Sequence, residues 1–107
     1  MDRLDALMAE IVTFTEERDW DQFHSPVNLA KSISIEAGEL LECYQWDDKA
    51  NPSEVEEELA DILNYSLLLA SKLSLDPIEI VRKKLEVSAR KYPVEKSKGR
   101  STKYDKL

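Results

Sequence analysis

Residues 53–73 read SEVEEELADILNYSLLLASKL, and this run decides the fold. Val55, Leu59, Ile62, Ser66, Leu69 and Leu73 recur every three or four residues, the period of an α-helix with one face turned inward. Ser53 followed by Glu56 is a capping-box spacing, which predicts the start of this helix, and the pattern runs to about Leu73. No stretch of the chain alternates with period two, and only two glycines interrupt its 107 residues, so strands have no signature here.

Three more helices follow from the same signals. Asp2 can cap a first one carrying Leu4, Leu7, Met8, Ile11 and Val12 and ending near Arg18. Ser25-Pro26 supplies an N-cap and first-turn proline for a second, with Leu29, Ile33, Ala37, Leu40 and Tyr44 as its inward stripe to about Trp46. Asp76-Pro77 with Glu79 opens the fourth, which stops near Tyr92-Pro93. Short loops between four helices predict an all-α, four-helix antiparallel bundle over residues 1–93. Residues 94–107 form a separate electrostatic unit of charge +3 against −10 for the rest. This tail reads either as a mobile end or as an arm over a polyphosphate or a neighbouring subunit.

Composition narrows the function classes. At 42% hydrophobic the chain supports one modest core, for which oligomerisation is a remedy. Its 22 acidic and 15 basic residues give a net charge of −7, which argues against nucleic acid or an anionic membrane surface as partner. A lone cysteine, Cys43, and the lack of a secretory signal or spanning apolar run predict a reduced, cytoplasmic setting.

Two acid pairs stand out, Glu36-Ala37-Gly38-Glu39 and Glu58-Leu59-Ala60-Asp61. Side chains three apart share a helix face, so each pair is a two-pronged oxygen donor. At 100° per residue Glu36 falls within about 50° of the centre of its helix's apolar stripe, with Glu39 on the flank. Glu58 and Asp61 share a file with Tyr65 along the edge of the third helix's stripe. Acids bordering a core repel one another and lose hydration unless a cation joins them. A hard divalent ion, Mg2+ or Mn2+, is one answer, and an interhelical Lys or Arg clasp is the other. Spacing leaves both open. Trp20, Phe23 and His24 crowd the first loop, and Tyr44 and Trp46 sit by the second; such rings either stack on a planar ligand or plug the ends of the bundle.

The ordered series Arg18-Asp19-Trp20-Asp21-Gln22-Phe23-His24, Asn28-Leu29-Ala30, Glu36-Ala37-Gly38-Glu39-Leu40 with Gln45-Trp46, and Glu57 through Tyr65 resembles the MazG-like nucleotide pyrophosphohydrolases, in particular the dCTP pyrophosphatase type. The similarity extends through Arg90-Lys91-Tyr92-Pro93 and weakly into Ser101-Thr102-Lys103-Tyr104, covering nearly the whole chain. It implies a Mg2+-dependent conversion of a nucleoside triphosphate to monophosphate and pyrophosphate by a dimer or dimer of dimers. Glu36, Glu39, Glu58 and Asp61 would then be metal ligands, with Glu39 and Glu36 nearest the chemistry. Trp20, Asp21, Gln22, Phe23, His24, Trp46 and Tyr65 would bind base and sugar. Two positions depart from the pattern: Ile11 stands where a pocket histidine is expected, and Ser88 where an asparagine precedes the final R-Y-P. Lys83, Lys84, Arg90 and Lys91 are candidates for holding pyrophosphate. The competing functions are hydrolysis of another phosphorylated nucleotide and a non-catalytic oligomeric interaction module.

Overall fold

The computed structural model describes residues 2–107, and the described residues are helical with no strand. Helix α1 spans Arg3–Glu17, α2 Pro26–Glu42, α3 Pro52–Lys72, α4 Pro77–Lys91 and α5 Val94–Ser97, with single 3-10 turns at Asp21–Phe23 and Tyr104–Lys106. The all-α expectation holds. Three of the four predicted caps are in place: Asp2 accepts from the Asp5 amide at 2.9 Å, Ser25 from Asn28 at 3.2 Å, and Asp76 from Ile78 at 2.9 Å.

The third cap is Asn51, not Ser53. Its side chain accepts from the Ser53 amide at 3.0 Å, while the Ser53 hydroxyl donates to the same oxygen at 2.8 Å. Pro52 has no N–H to lose and is preorganised for a first helical position, so the Asn-Pro step starts the helix two residues early. Helix α2 also ends early, at Glu42, which leaves Tyr44 and Trp46 in the following loop.

Helices α1 and α3 both close without glycine. Asp19 and Ser74 adopt φ of 54° and 55°, the left-handed conformation that ends a helix. The Trp20 amide then donates to the Thr15 carbonyl and that of Leu75 to Ala70, each at 2.9 Å. The Asp19 turn folds Trp20 back onto α1, where its ring meets Phe14 edge-on at 5.8 Å. An aromatic wall is thereby fixed by a backbone turn rather than by loop contacts alone.

The chain divides into two compact units, Met1–Leu75 and Asp76–Leu107. In the first, α3 packs against both α2 and α1. Leu29, Leu68 and Ala70 are buried, and so is Thr15, whose hydroxyl donates to the Val12 carbonyl at 2.8 Å. Leu68 and Ala70 lie about 160° apart around α3, so its buried arc is wider than one stripe. Leu59 and Leu73, expected in that stripe, are about half exposed. In the second unit α4, α5 and the last 3-10 turn follow in sequence, with Tyr104 edge-on to Tyr92 at 6.0 Å and the Lys91 ammonium 4.7 Å from the Tyr104 ring centre. No helix among the described residues is long and apolar enough to cross a membrane.

Candidate active site

Packing of α2 on α3 brings the two acid pairs together. Glu36, Glu58 and Asp61 each place a carboxylate oxygen within 4.8 Å of the others. Glu39 stands outside that trio but borders it, in hydrogen-bond reach of both Glu36 and Glu58. One oxygen of Glu36 and one of Glu58 are buried with no hydrogen-bond partner. Orphaned buried carboxylate oxygens are costly, and either a bound proton or a cation among them relieves that cost.

The electrostatics say the same. Burial, reinforced by the neighbouring carboxylates of Glu39, Asp61 and Glu58, pushes the Glu36 carboxyl up to about 7. Glu58 is raised chiefly because its protonated form donates to Glu39, with burial and the charges of Glu39 and Asp61 adding to the shift. No basic side chain of the first unit pairs with these acids. The only ion pair among the described residues joins Lys72 to Asp21, away from the cluster. The clasp alternative therefore has no arginine or lysine to make it within this unit. Oxygen donors around a small hard ion sit about 2.1 Å from it, hence roughly 3 to 4 Å from each other, against the 4.8 Å within which these three oxygens lie.

One turn further along α3 the surface opens into a cavity of about 270 Å³ between α1, the Trp20–His24 loop and α3. Leu7, Ile11, Phe14 and Leu68 give it apolar walls, and Glu10, Thr15, Trp20, His24, Asn64 and Tyr65 complete the lining. Asn64 and Tyr65 follow Asp61 by three and four residues, so cavity and acid cluster share an edge of α3 about one helical turn apart. The Nδ1 atom of His24 is buried there without a partner.

The structure sorts the sequence-predicted nucleotide contacts into two groups. Trp20, His24 and Tyr65 line the cavity. Asp21 is tied to Lys72, and Gln22 donates to the Asp19 carbonyl and carboxylate at 3.0 Å, so both brace the loop. Phe23 points outward and Trp46 is 90% exposed, neither lining the cavity. Glu10 and Asn64 line it and were not singled out by sequence reasoning: Glu10 reads as a solvated acid on α1, and no spacing rule links it to α3.

The MazG-like family pattern matches residues 31–107, which take in both acid pairs. Bovine dCTP pyrophosphatase 1 is 39% identical over 104 residues, covering 88% of this chain and 62% of that protein; the human protein of the same name is 36% identical, with 88% and 61% covered. The chain thus spans about three-fifths of the length of these mammalian relatives. The crystal structure of a pyrophosphatase from Archaeoglobus fulgidus superposes with a TM-score of 0.79 at 39% identity, covering 87% of this chain and 94% of that one. With its paired acids on packed helices and a family match running from α2 to the last residue, this chain belongs to the MazG-like family.

Proposed function

We propose that the protein is a Mg2+-dependent nucleoside triphosphate pyrophosphohydrolase, converting a deoxynucleoside triphosphate and water to the monophosphate and pyrophosphate, with dCTP or a modified pyrimidine dNTP preferred. The observation that carries this reading is the trio of carboxylates from two helices with two buried, unpartnered oxygens. The names of the mammalian relatives support the cytosine nucleotide, and the archaeal pyrophosphatase supports the reaction class.

In this reading Glu36, Glu58 and Asp61, with Glu39 beside them, hold the ion; Mn2+ can replace Mg2+. When bound, it offsets the negative charge of the polyphosphate and acts as a Lewis acid toward phosphorus oxygens. The α-phosphorus gains an oxygen from water as its bond to the bridging oxygen breaks, and pyrophosphate leaves with that bridging oxygen. Glu39, bordering Glu36 and Glu58, takes the proton of the attacking water. Trp20, Tyr65 and His24 receive base and sugar in the cavity, so that the triphosphate lies along α3 toward Asp61. The test is incubation of the purified protein with each dNTP and Mg2+. Monophosphate plus pyrophosphate supports the reading, while inactivity across a broad nucleotide panel defeats it.

The same reading includes self-association. On α2, Val27, Gly38 and Leu41 lie on the side opposite Glu36 with Ile35 on its flank, and Leu41 is 73% exposed. A Cβ placed on Gly38 meets nothing within 4 Å. Exposed apolar side chains interspersed with Ser34, Lys31 and Glu42 give this side the mixed character suited to a second copy of the chain. Leu41→Glu with Ile35→Lys is therefore expected to convert a dimer or tetramer to monomers in sedimentation velocity; an unchanged sedimentation coefficient would reject this face as the contact.

A further inference from the structure

The cavity carries one charged group that its role as an apolar receptacle does not require. Glu10 lines it from α1, across from Asn64 on α3, and the rest of the wall is mainly hydrocarbon and aromatic. Among the described residues Glu10 makes no ion pair, so its oxygens are available to a guest. A carboxylate accepts hydrogen bonds and donates none. It therefore distinguishes sharply between bases that differ in one exocyclic group. The 4-amino group of cytosine offers an N–H to such an acceptor, whereas the 4-oxo group of uracil or thymine presents a second acceptor and is repelled. A hydrogen bond to a charged acceptor is also the stronger kind.

We infer that Glu10 is a specificity-determining residue that selects a 4-amino over a 4-oxo pyrimidine nucleotide by accepting the exocyclic N–H in this cavity. The inference rests on the functional reading above, in which this cavity takes the base. Position favours Glu10 for the role. It belongs to α1, whereas the acid cluster is built on α2 and α3, so the same side chain need not serve the ion. Asn64, facing the same space with both a donor and an acceptor, is able to satisfy a ring nitrogen or carbonyl of either base and so does not by itself discriminate. Sites built to pair a polar group of the substrate reject an analogue lacking it far better than hydrocarbon walls reject a small change in size.

The experiment measures kcat/KM for dCTP and dUTP, with Mg2+, for the unaltered protein, Glu10→Gln and Glu10→Leu. The unaltered protein should prefer dCTP, and both variants should reduce the dCTP to dUTP ratio by about tenfold or more, corresponding to loss of one charge-assisted hydrogen bond. Glu10→Gln should lose it partly by gaining activity on dUTP, because an amide can turn its N–H toward the 4-oxo group. Glu10 is exposed on α1, so thermal melting of both variants should match the parent and exclude misfolding as a cause. An unchanged ratio in folded variants, or a parent that turns over dUTP as well as dCTP, overturns the assignment while leaving the pyrophosphohydrolase reading intact. Failure of the parent to hydrolyse any dNTP defeats that underlying reading instead, and the selection with it.

Discussion

Glu58→Gln is expected to lower kcat/KM for dCTP by at least about a hundredfold at saturating Mg2+, and Glu36→Gln and Asp61→Asn by similar factors. Removing even an outer partner of a metal ligand typically costs about 10- to 100-fold, so loss of a direct donor belongs at or above that range. The same substitutions should leave the metal-free protein as stable as the parent or more so. Each removes one negative charge from a group whose oxygens lie within 4.8 Å of one another and whose buried atoms lack partners. Pyrophosphate release and chemical denaturation in EDTA measure the two effects on the same samples. A variant that loses both activity and fold would mean that these carboxylates hold the helices together directly. That result would revive the clasp and remove the ion from the account.

A second large effect concerns pH. The Glu36 carboxyl titrates at about 7 in the folded chain against an ordinary value of 4.5, because burial and the surrounding carboxylates favour its neutral form. The folded state then binds a proton more tightly than the unfolded one. Its contribution to stability is fully present below pH 4.5 and is lost as pH rises through about 7. Glu58, shifted in the same direction, adds to the trend. In EDTA the melting temperature should therefore fall between pH 5 and pH 8, apart from effects of other groups, and Glu36→Gln should flatten the profile. Divalent metal should reverse the loss at pH 8. At a hundred times its Kd a ligand confined to the native state adds about 2.7 kcal/mol, or roughly 10 °C for a domain of this size. At pH 5 the gain should shrink, since protons compete for the same oxygens. A metal-induced rise that is as large at pH 5 as at pH 8 would place binding elsewhere.

The parts of this protein that the sequence makes legible are those set by local chemistry. Ser25-Pro26 and Asp76-Pro77 announce helix starts because the cap side chain and the proline each satisfy a backbone requirement within three residues. The phases of Glu36 and Glu58 are legible for a related reason, since an acid on the buried side of a helix departs from the usual pattern. Where two local signals compete, sequence alone misplaces the boundary. Asn51-Pro52 outcompetes Ser53 as a start, and α2 stops at Glu42 although apolar and aromatic residues continue its stripe to Tyr44. The wide burial of α3, with Leu68 and Ala70 about 160° apart around it, requires knowing that two helices flank it. The cavity belongs to the same class. Glu10 and Asn64 are 54 positions apart, and only the packing of α1 on α3 makes them neighbours. Aromatic residues alone were ambiguous: Trp20 is turned inward by the left-handed Asp19, whereas Trp46 has no such turn behind it and remains exposed.

Titration of the metal-free protein with Mn2+, following the electron paramagnetic resonance signal of the free ion at pH 8, tests most directly whether the four acids form a cation site. Saturable binding is expected, displaced by Mg2+ and abolished or severely weakened by Glu58→Gln in a protein that remains folded. Mn2+ left free in solution, or bound equally by the parent and by Glu58→Gln, would contradict the cation site.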